Sequence, residues 1–321
     1  MIKWGIIGTG SMAQLFAKGL KHAPGAEFFA VSSRAKGKAQ EFASEFGANK
    51  FYGSRDDMLA DSEIDIVYVA TPNHCHAPDS IASLNAGKAV LCEKPFALNS
   101  SELESIIAVA TEKKLFLMEA LWTNFLPSFK KFVELANSGA IGEPLLLQAD
   151  FGYNSPFDAK KWRNDPAQGG GSIYDIGIYP IFAAMKIFGE PEKMETIKIP
   201  SPSGTDQTAV IQTLHKNGKV AMLASSFAMN LDTEAKLYGT KGKLTLHRMF
   251  HIPTKLTLQN ENEQKTFTFS EVGNGYQYEA IAAMNAMEVG LTQCAEWDLN
   301  ESRILMGLLD RANATNKKTH E

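Results

Sequence analysis

Apolar residues run almost without a break through Ile2–Ile7 and through residues 64–70, and each run ends at a turn rich in glycine or proline. Continuous apolar strands separated by helix-spaced stretches point to a parallel sheet buried on both faces. The pattern predicts strands at Ile2–Ile7, 27–33, 64–70 and 89–92, with helices at 14–22, Lys36–Phe46 and 78–86 between them. An amphipathic helix over 122–137 leads to a strand at 145–153 and a long apolar helix at 173–188. From residue 194 onward the period changes. Short runs at 194–199, 208–215, 219–228, 234–238, 243–247, 255–259 and 264–269 read as strands, and Asn217-Gly218 and Lys241-Gly242 mark turns among them. Strands joined in this way build an antiparallel sheet. Helices at 276–291 and 300–316 close the chain, and Met284 and Met287 on the first of them read as core fillers.

The turn after the first strand is Gly8-Thr9-Gly10-Ser11-Met12-Ala13, or G-x-G-x-x-A. The first glycine permits the tight turn, the second lets a pyrophosphate approach, and the small third residue lets helix and strand pack closely. Dinucleotide phosphates would rest on the helix N-terminus. An NAD enzyme would carry an acid at the end of the second strand, on the ribose hydroxyls. This chain has Ser32-Ser33-Arg34 there, followed by Lys36 and Lys38. Hydroxyls and cations suit the 2′-phosphate of NADP, which is therefore expected in preference to NAD. The strand at 64–70 runs into Thr71-Pro72-Asn73-His74-Cys75-His76, at the sheet edge where ligands lie. Asn73 and His74 are expected near the nicotinamide or its ribose. No cysteine pair or acidic cluster accompanies His74 and His76, so no metal is expected.

Near the middle of the chain stands Gly169-Gly170-Gly171-Ser172-Ile173-Tyr174-Asp175-Ile176-Gly177-Ile178-Tyr179-Pro180. The glycines allow a sharp turn or a close approach to a ligand, and Ser172 is placed to cap the helix. Asp175 and Tyr179, four apart, share a helix face, where a carboxylate and a phenol can move a proton. The plainer alternative is a glycine loop before an ordinary core helix.

Composition narrows the ligand. With 321 residues, 44% hydrophobic and 21% charged, the chain is long enough for two domains and is neither disordered nor membrane-resident in character. A formal charge of -4 excludes a general nucleic-acid binder and leaves a small-molecule substrate. Cys75, Cys92 and Cys294 are odd in number and scattered, which fits a reducing compartment. Glycines at 5, 8 and 10 come too soon for a signal peptide, so a cytoplasmic protein without membrane contact is expected.

The strand at 89–92 ends in Glu93-Lys94-Pro95. Taken in order, G-x-G-x-x-A, T-P-N-H, E-K-P and G-G-G-x-x-x-D-x-G-x-Y-P resemble the glucose-fructose oxidoreductase and inositol dehydrogenase (Gfo/Idh/MocA) family. The segment Met118-Glu119-Ala120-Leu121-Trp122-Thr123-Asn124-Phe125-Leu126-Pro127 is similar to its branch of dimeric dihydrodiol dehydrogenase and NADP-dependent D-xylose dehydrogenase. A basic residue usually stands there where this chain has Asn124, which puts one polar contact in question. The resemblance implies an α/β N-terminal Rossmann domain, residues 1–120. It also implies an α+β C-terminal domain, residues 121–321, with a large, mostly antiparallel sheet for substrate binding and oligomerisation. It carries the catalytic roles to Lys94, Asp175 and Tyr179, a tyrosine where inositol dehydrogenase-like members have histidine, and places Glu93 and Lys94 at the cofactor.

A phenol at its ordinary pKa is too weak a base at neutral pH, but a nearby ammonium favours the phenolate. Tyr179 would take the hydroxyl proton while hydride passes to the nicotinamide. Lys94 and Tyr179 both qualify as the proximal proton carrier, and Asp175 would orient Lys94 or a substrate hydroxyl. Trp122, Phe151, Trp162 and Arg163 are candidates for the substrate wall, with Trp162 and Arg163 also able to meet the cofactor. The expected function is hydride transfer between NADP(H) and a secondary alcohol or hemiacetal carbon of a sugar, polyol or cyclic trans-diol. A non-catalytic NADP(H) sensor and a biliverdin reductase-like enzyme are the alternatives. One uncovered face of the second sheet would hold a homo-oligomer, a dimer or tetramer.

Overall fold

A computed structural model of the chain describes residues 1–252, 254–270 and 272–314. The last positions of the helix expected at 300–316 lie outside the described residues. The chain forms two compact units, Met1–Leu126 with Glu271–Arg303, and Pro127–Ser270 with Ile304–Glu321.

In the first unit, β1 (Ile2–Ile7), α1 (Ser11–Leu20), β2 (Ala26–Ser32), α2 (Lys36–Phe46), β3 (Lys50–Tyr52) and α3 (Arg55–Leu59) come first. They are followed by β4 (Ile66–Val69), α4 (Asn73–Asn85), β5 (Ala89–Glu93), α5 (Ser100–Lys113) and β6 (Leu117–Ala120). The strands form one six-stranded parallel sheet in the order β3-β2-β1-β4-β5-β6. Its direction of winding reverses between β1 and β4, and the crevice at that point is where such sheets bind dinucleotides. β4 and β5 are buried along their whole length, which is why both read as unbroken apolar runs. The helix expected at 78–86 begins earlier, at Asn73. Pro72, extended at φ -60 and ψ 150, starts it, and Pro78 sits inside it with its ring exposed, so that proline does not mark the boundary.

The second unit contains α6 (Pro127–Asn137), β7 (Pro144–Gly152), α7 (Ile178–Phe188), β8 (Lys193–Pro200), β9 (Asp206–Leu214) and β10 (Val220–Ser226). Then come β11 (Ala235–Gly239), β12 (Gly242–Leu246), β13 (Lys255–Asn260) and β14 (Gln264–Thr268). The eight strands lie in the order β14-β13-β12-β11-β7-β10-β9-β8, antiparallel throughout except for the central β7 and β10. α7 covers the inner face, where Leu147, Ala149, Ala221 and Leu223 are buried. Alternate positions point the other way. Ile197, Ile199, Val210 and Met222 lie exposed on that outer face, Ile197 with 73% of its surface.

Late in the chain come α8 (Tyr276–Glu288) and α9 (Leu299–Asn313). α8 packs on α1 within the first unit. Asn274 donates its amide to the Leu15 carbonyl at 2.8 Å, and Tyr276 stacks on Trp122 with ring centres 4.3 Å apart. The approach depends on Gly19, where a Cβ would stand 2.7 Å from the Tyr276 Cβ and 3.1 Å from the Gln277 nitrogen. Gly19→Ala is therefore expected to lower stability by about 1–3 kcal/mol, as overpacking does. Urea unfolding followed by tryptophan fluorescence checks this, and an unchanged midpoint would mean that α8 tolerates the shift.

Candidate active site

The nucleotide end of the first unit is built around the two glycines of the opening turn. Gly8 has φ +107, and a Cβ there would lie 2.6 Å from the Ala70 carbonyl oxygen, so the turn is pressed against the end of β4. Gly10 differs. A Cβ there would meet nothing within 4 Å, so the protein's own packing does not demand glycine. Gly10 starts α1 without a side-chain cap, the first turn has no acid, and Ala13 is fully buried. Those uncapped amides, with Thr9, Ser11 and Met12 around them, fit a pyrophosphate. At the end of β2, Ser33 is half-buried while Arg34 and Lys38 are exposed, and the first turn of α2 again has no acid. The buried Ser32 hydroxyl finds no partner among the described residues. Oxygen acceptors of a phosphorylated ribose fit this set. Nearby, Thr71 donates to Asp79 at 2.8 Å, and Asp79 also binds Arg55 at 2.8 Å. His74 is exposed on the first turn of α4, whereas Asn73 is buried.

The turn that carries Lys94 is held at three successive residues. The Lys94 amide donates to Glu93 Oε2 at 3.1 Å, His76 Nδ1 lies 2.7 Å from the Pro95 carbonyl, and the Phe96 amide donates to Glu119 Oε1 at 3.2 Å. His76 Nε2 stands 2.8 Å from the Thr71 carbonyl. Carbonyls only accept, so a neutral ring can donate to one of the two, while burial pulls the His76 pKa down against both carbonyls. Glu93 also accepts from the Tyr68 hydroxyl. Behind it, both oxygens of the fully buried Glu279 accept no hydrogen bond from the described residues. Burial, with Glu93 opposite, pushes that carboxyl well above the usual range. No motif pointed to Glu279, which sits on α8.

Asn124, placed where a basic residue was expected, is buried and donates its amide to the Glu296 carbonyl at 2.9 Å. That amide is committed to holding the segment 271–303 rather than offered to a ligand.

In the second unit, Ser172 does not cap the central helix. Its backbone is already helical, and its hydroxyl turns to Asp206 Oδ2 at 2.7 Å and Ser225 at 2.8 Å. Asp206, from β9, makes the cap instead, accepting the Ile173 amide at 2.8 Å. The glycines serve this packing. At Gly171, φ +120, a Cβ would fall 2.1 Å from Asp206 Oδ1, and at Gly170 it would fall 2.6 Å from the Arg163 carbonyl oxygen. The first turn, Ile173–Gly177, is π-helical and precedes α7. A wider turn shifts the phase of Asp175 against Tyr179, and such turns recur at functional sites. Asp175 is half-buried and Tyr179 is buried.

Tyr179 belongs to a row of rings. Its centre is 5.8 Å from Phe151 and 5.1 Å from His251, and His251 stacks on Phe151 at 4.3 Å. Tyr153 extends the row, 6.3 Å from Phe151 and 5.4 Å from Phe227. The Arg163 guanidinium lies 5.8 Å from Tyr153 and 5.7 Å from Phe227 and donates to Ser155 at 3.1 Å, while its buried Nε has no partner among the described residues. Trp162 is half-buried on the same short turn as Arg163. Trp122 is in the first unit, stacked on Tyr276. Phe151 and Tyr179 thus come together, with His251 as the neighbour that no motif announced. Among the described residues no group of three His, Cys, Asp or Glu could hold a metal, and no helix is long and apolar enough to cross a membrane.

Residues 2–121 match the oxidoreductase family with an NAD-binding Rossmann fold, and residues 129–245 match the GFO/IDH/MocA C-terminal domain. A trans-1,2-dihydrobenzene-1,2-diol dehydrogenase of Mus musculus is 31% identical, over 97% of this chain and 96% of its own. This chain belongs to the Gfo/Idh/MocA family. It is an oxidoreductase with an NAD(P)-binding Rossmann domain, in the dihydrodiol dehydrogenase branch; the Homo sapiens dihydrodiol dehydrogenase is 30% identical over 96% of this chain and 95% of its own. Among solved structures, an aldose-aldose oxidoreductase from Caulobacter crescentus shares the fold at a TM-score of 0.88, with 23% identity and 97% of each chain covered. The 3-ketoreductase KijD10 of Actinomadura kijaniata, in complex with TDP-benzene and NADP, follows at 0.85, with 25% identity and 96% of each chain covered.

In this Gfo/Idh/MocA chain the Asp206 cap sets the start of the helix that bears Asp175 and Tyr179. Asp206→Ala leaves the Ile173 amide without its acceptor and the Ser172 hydroxyl with Ser225 alone, at an expected loss of about 1–3 kcal/mol in urea unfolding. A loss below about 0.5 kcal/mol would show that the helix start holds without it.

Proposed function

We propose that the protein transfers hydride between NADP(H) and a CH–OH carbon of a sugar, polyol or cyclic trans-diol. The observation that carries this reading is the placing of Tyr179. Its phenol is buried at the start of the central helix, in a row of rings with Phe151 and His251 and four residues after Asp175. Ring faces suit the apolar side of a sugar or ring diol, and a phenol there can exchange a hydroxyl proton.

When bound, the nicotinamide supplies the hydride acceptor or donor. Tyr179 takes the substrate hydroxyl proton during oxidation and returns it during reduction. Lys94 is the cationic partner of that transfer, since an ammonium favours the phenolate, and Asp175 orients Lys94 or a substrate hydroxyl. The preference for NADP rests on Ser33, Arg34 and Lys38 and the missing acid after β2. Relatives differ in this respect: KijD10 was solved with NADP, and a levoglucosan dehydrogenase with NADH. We further propose a homo-oligomer through the outer sheet face bearing Ile197, Ile199, Val210 and Met222. Such an apolar face is uncommon on a monomer. The odd number and wide scatter of Cys75, Cys92 and Cys294 support residence in the cytoplasm.

Tyr179→Phe is expected to lower kcat by about 100-fold or more while NADPH affinity stays within about threefold. Turnover equal to wild type would remove Tyr179 from the mechanism. Arg34→Ala should weaken NADPH binding by about tenfold or more in a fluorescence titration and leave NADH nearly unaffected. Equal effects on both cofactors would contradict the assignment of Arg34 to the 2′-phosphate.

A further inference from the structure

We propose that Glu119 is a positioning residue for Lys94: from β6 its carboxylate holds the Phe96 amide, and so fixes the turn from which the Lys94 side chain projects. This rests on the reading of Lys94 as a catalytic group. The Met118-Glu119-Ala120 segment had no role in the sequence beyond its likeness to a branch of the family. In the structure Glu119 is 1% exposed and one strand away from the turn, opposite Cys92 in the β5–β6 register.

Three donors converge on it. The Phe96 amide reaches Oε1 at 3.2 Å, and the Ser302 hydroxyl at 2.9 Å and the Trp297 indole at 3.3 Å reach Oε2. A carboxylate accepts all three. A protonated acid holds them less well. Its hydrogen must sit on Oε2 and turn to the Ser302 hydroxyl, which can accept, because one on Oε1 confronts the Phe96 amide. The neutral Oε1 accepts that amide more weakly than a carboxylate does. Two further grips on the turn come from Glu93, which holds the Lys94 amide, and His76, which faces the Pro95 carbonyl. Glu119 lies further along the chain from the turn than either of these, and Trp297 and Ser302 tie it in turn to the segment that carries them.

The ionisation of Glu119 falls in the working range. Burial raises its carboxyl to about 7, the Ser302, Trp297 and Phe96 donors opposing and the Glu93 charge adding to it. The titratable neighbours are Glu93 and Cys92 on β5, with Glu279 on α8 facing Glu93; Trp297 and Ser302 carry no charge. Above pH 7 the ionised form grips Phe96. Below it the neutral acid turns its proton to Ser302 and holds the Phe96 amide by a weaker, uncharged bond, and the Lys94 turn loosens. The same raised value predicts that the contribution of Glu119 to stability is present at acid pH and lost as pH rises through about 7.

The test uses the full chain with lysines carrying ¹³C at Cε, the Lys94 resonance being identified by its absence in Lys94→Arg. Between pH 5 and 9 the Lys94 signal is expected to move in a step near pH 7 in wild type, and the step should vanish in Glu119→Gln, which accepts from Phe96 but cannot ionise. A step that persists in Glu119→Gln, or none in wild type, overturns the proposal. Turnover of trans-1,2-dihydrobenzene-1,2-diol with NADP⁺ separates the two readings. Glu119→Leu should lower kcat about tenfold or more with NADP⁺ affinity within about threefold, and should add nothing to the loss caused by Lys94→Ala. Independent, additive losses overturn the positioning role. Full activity of Lys94→Ala sinks the catalytic reading of Lys94, while the resonance still reports on Glu119.

Discussion

Backbone amides that the sheets and helices leave over must find an acceptor once buried, and this chain answers that demand with buried carboxylates. Asp206 receives the Ile173 amide at the start of the central helix, Glu93 the Lys94 amide, and Glu119 the Phe96 amide. A carboxylate is removed from water at a cost, recovered only through donors in the right places. The segments bearing Lys94 and Tyr179 are therefore over-determined: an error in either would leave a buried charge without its donors. Here stability and the geometry of the proposed site draw on the same hydrogen bonds.

The rings of the second unit set a different constraint. Phe151 near the end of β7 and Tyr153 just past it bring their ring centres to 6.3 Å, and His251 arrives from beyond β12 to stack on the first of them. An imidazole at this place puts polar atoms into a wall that phenyl rings alone would make apolar. Arg163 does the same beside Tyr153. A surface that alternates ring faces with hydrogen-bonding groups matches molecules that carry an apolar face and a rim of hydroxyls.

Much of this was legible in the sequence because turn chemistry is local. Gly8, Gly10 and Ala13 have their meaning within six residues, and unbroken apolar runs such as Ile66–Val69 can only be buried strands. What was not legible depended on distant partners. Ser172 reads as a cap, yet its hydroxyl is taken by Asp206, 34 residues away. Pro78 reads as a helix start, yet the helix had begun at Asn73. Asn124 reads as a departure from a ligand contact, and its amide serves Glu296, 172 residues on. β3 and α3, of three and five residues, are too short to show any period. His251 and Glu279 belong to no motif, and only packing gives them a place.

The first unit is not one stretch of chain. β1 to β6 are synthesised by residue 120, but α8 and the Trp297–Ser302 segment that complete the unit emerge only after the whole eight-stranded sheet has been made. Until then Trp122 has no Tyr276 to stack on, α1 around Gly19 has no helix against it, and Glu119 lacks two of its donors. A nascent chain halted at residue 126 lacks the ring that stacks on Trp122 and two of the three donors to Glu119, the kind of half-built surface that chaperones hold. The order of translation and the order of assembly differ in this protein. Its nucleotide unit starts first and finishes after the second unit's sheet.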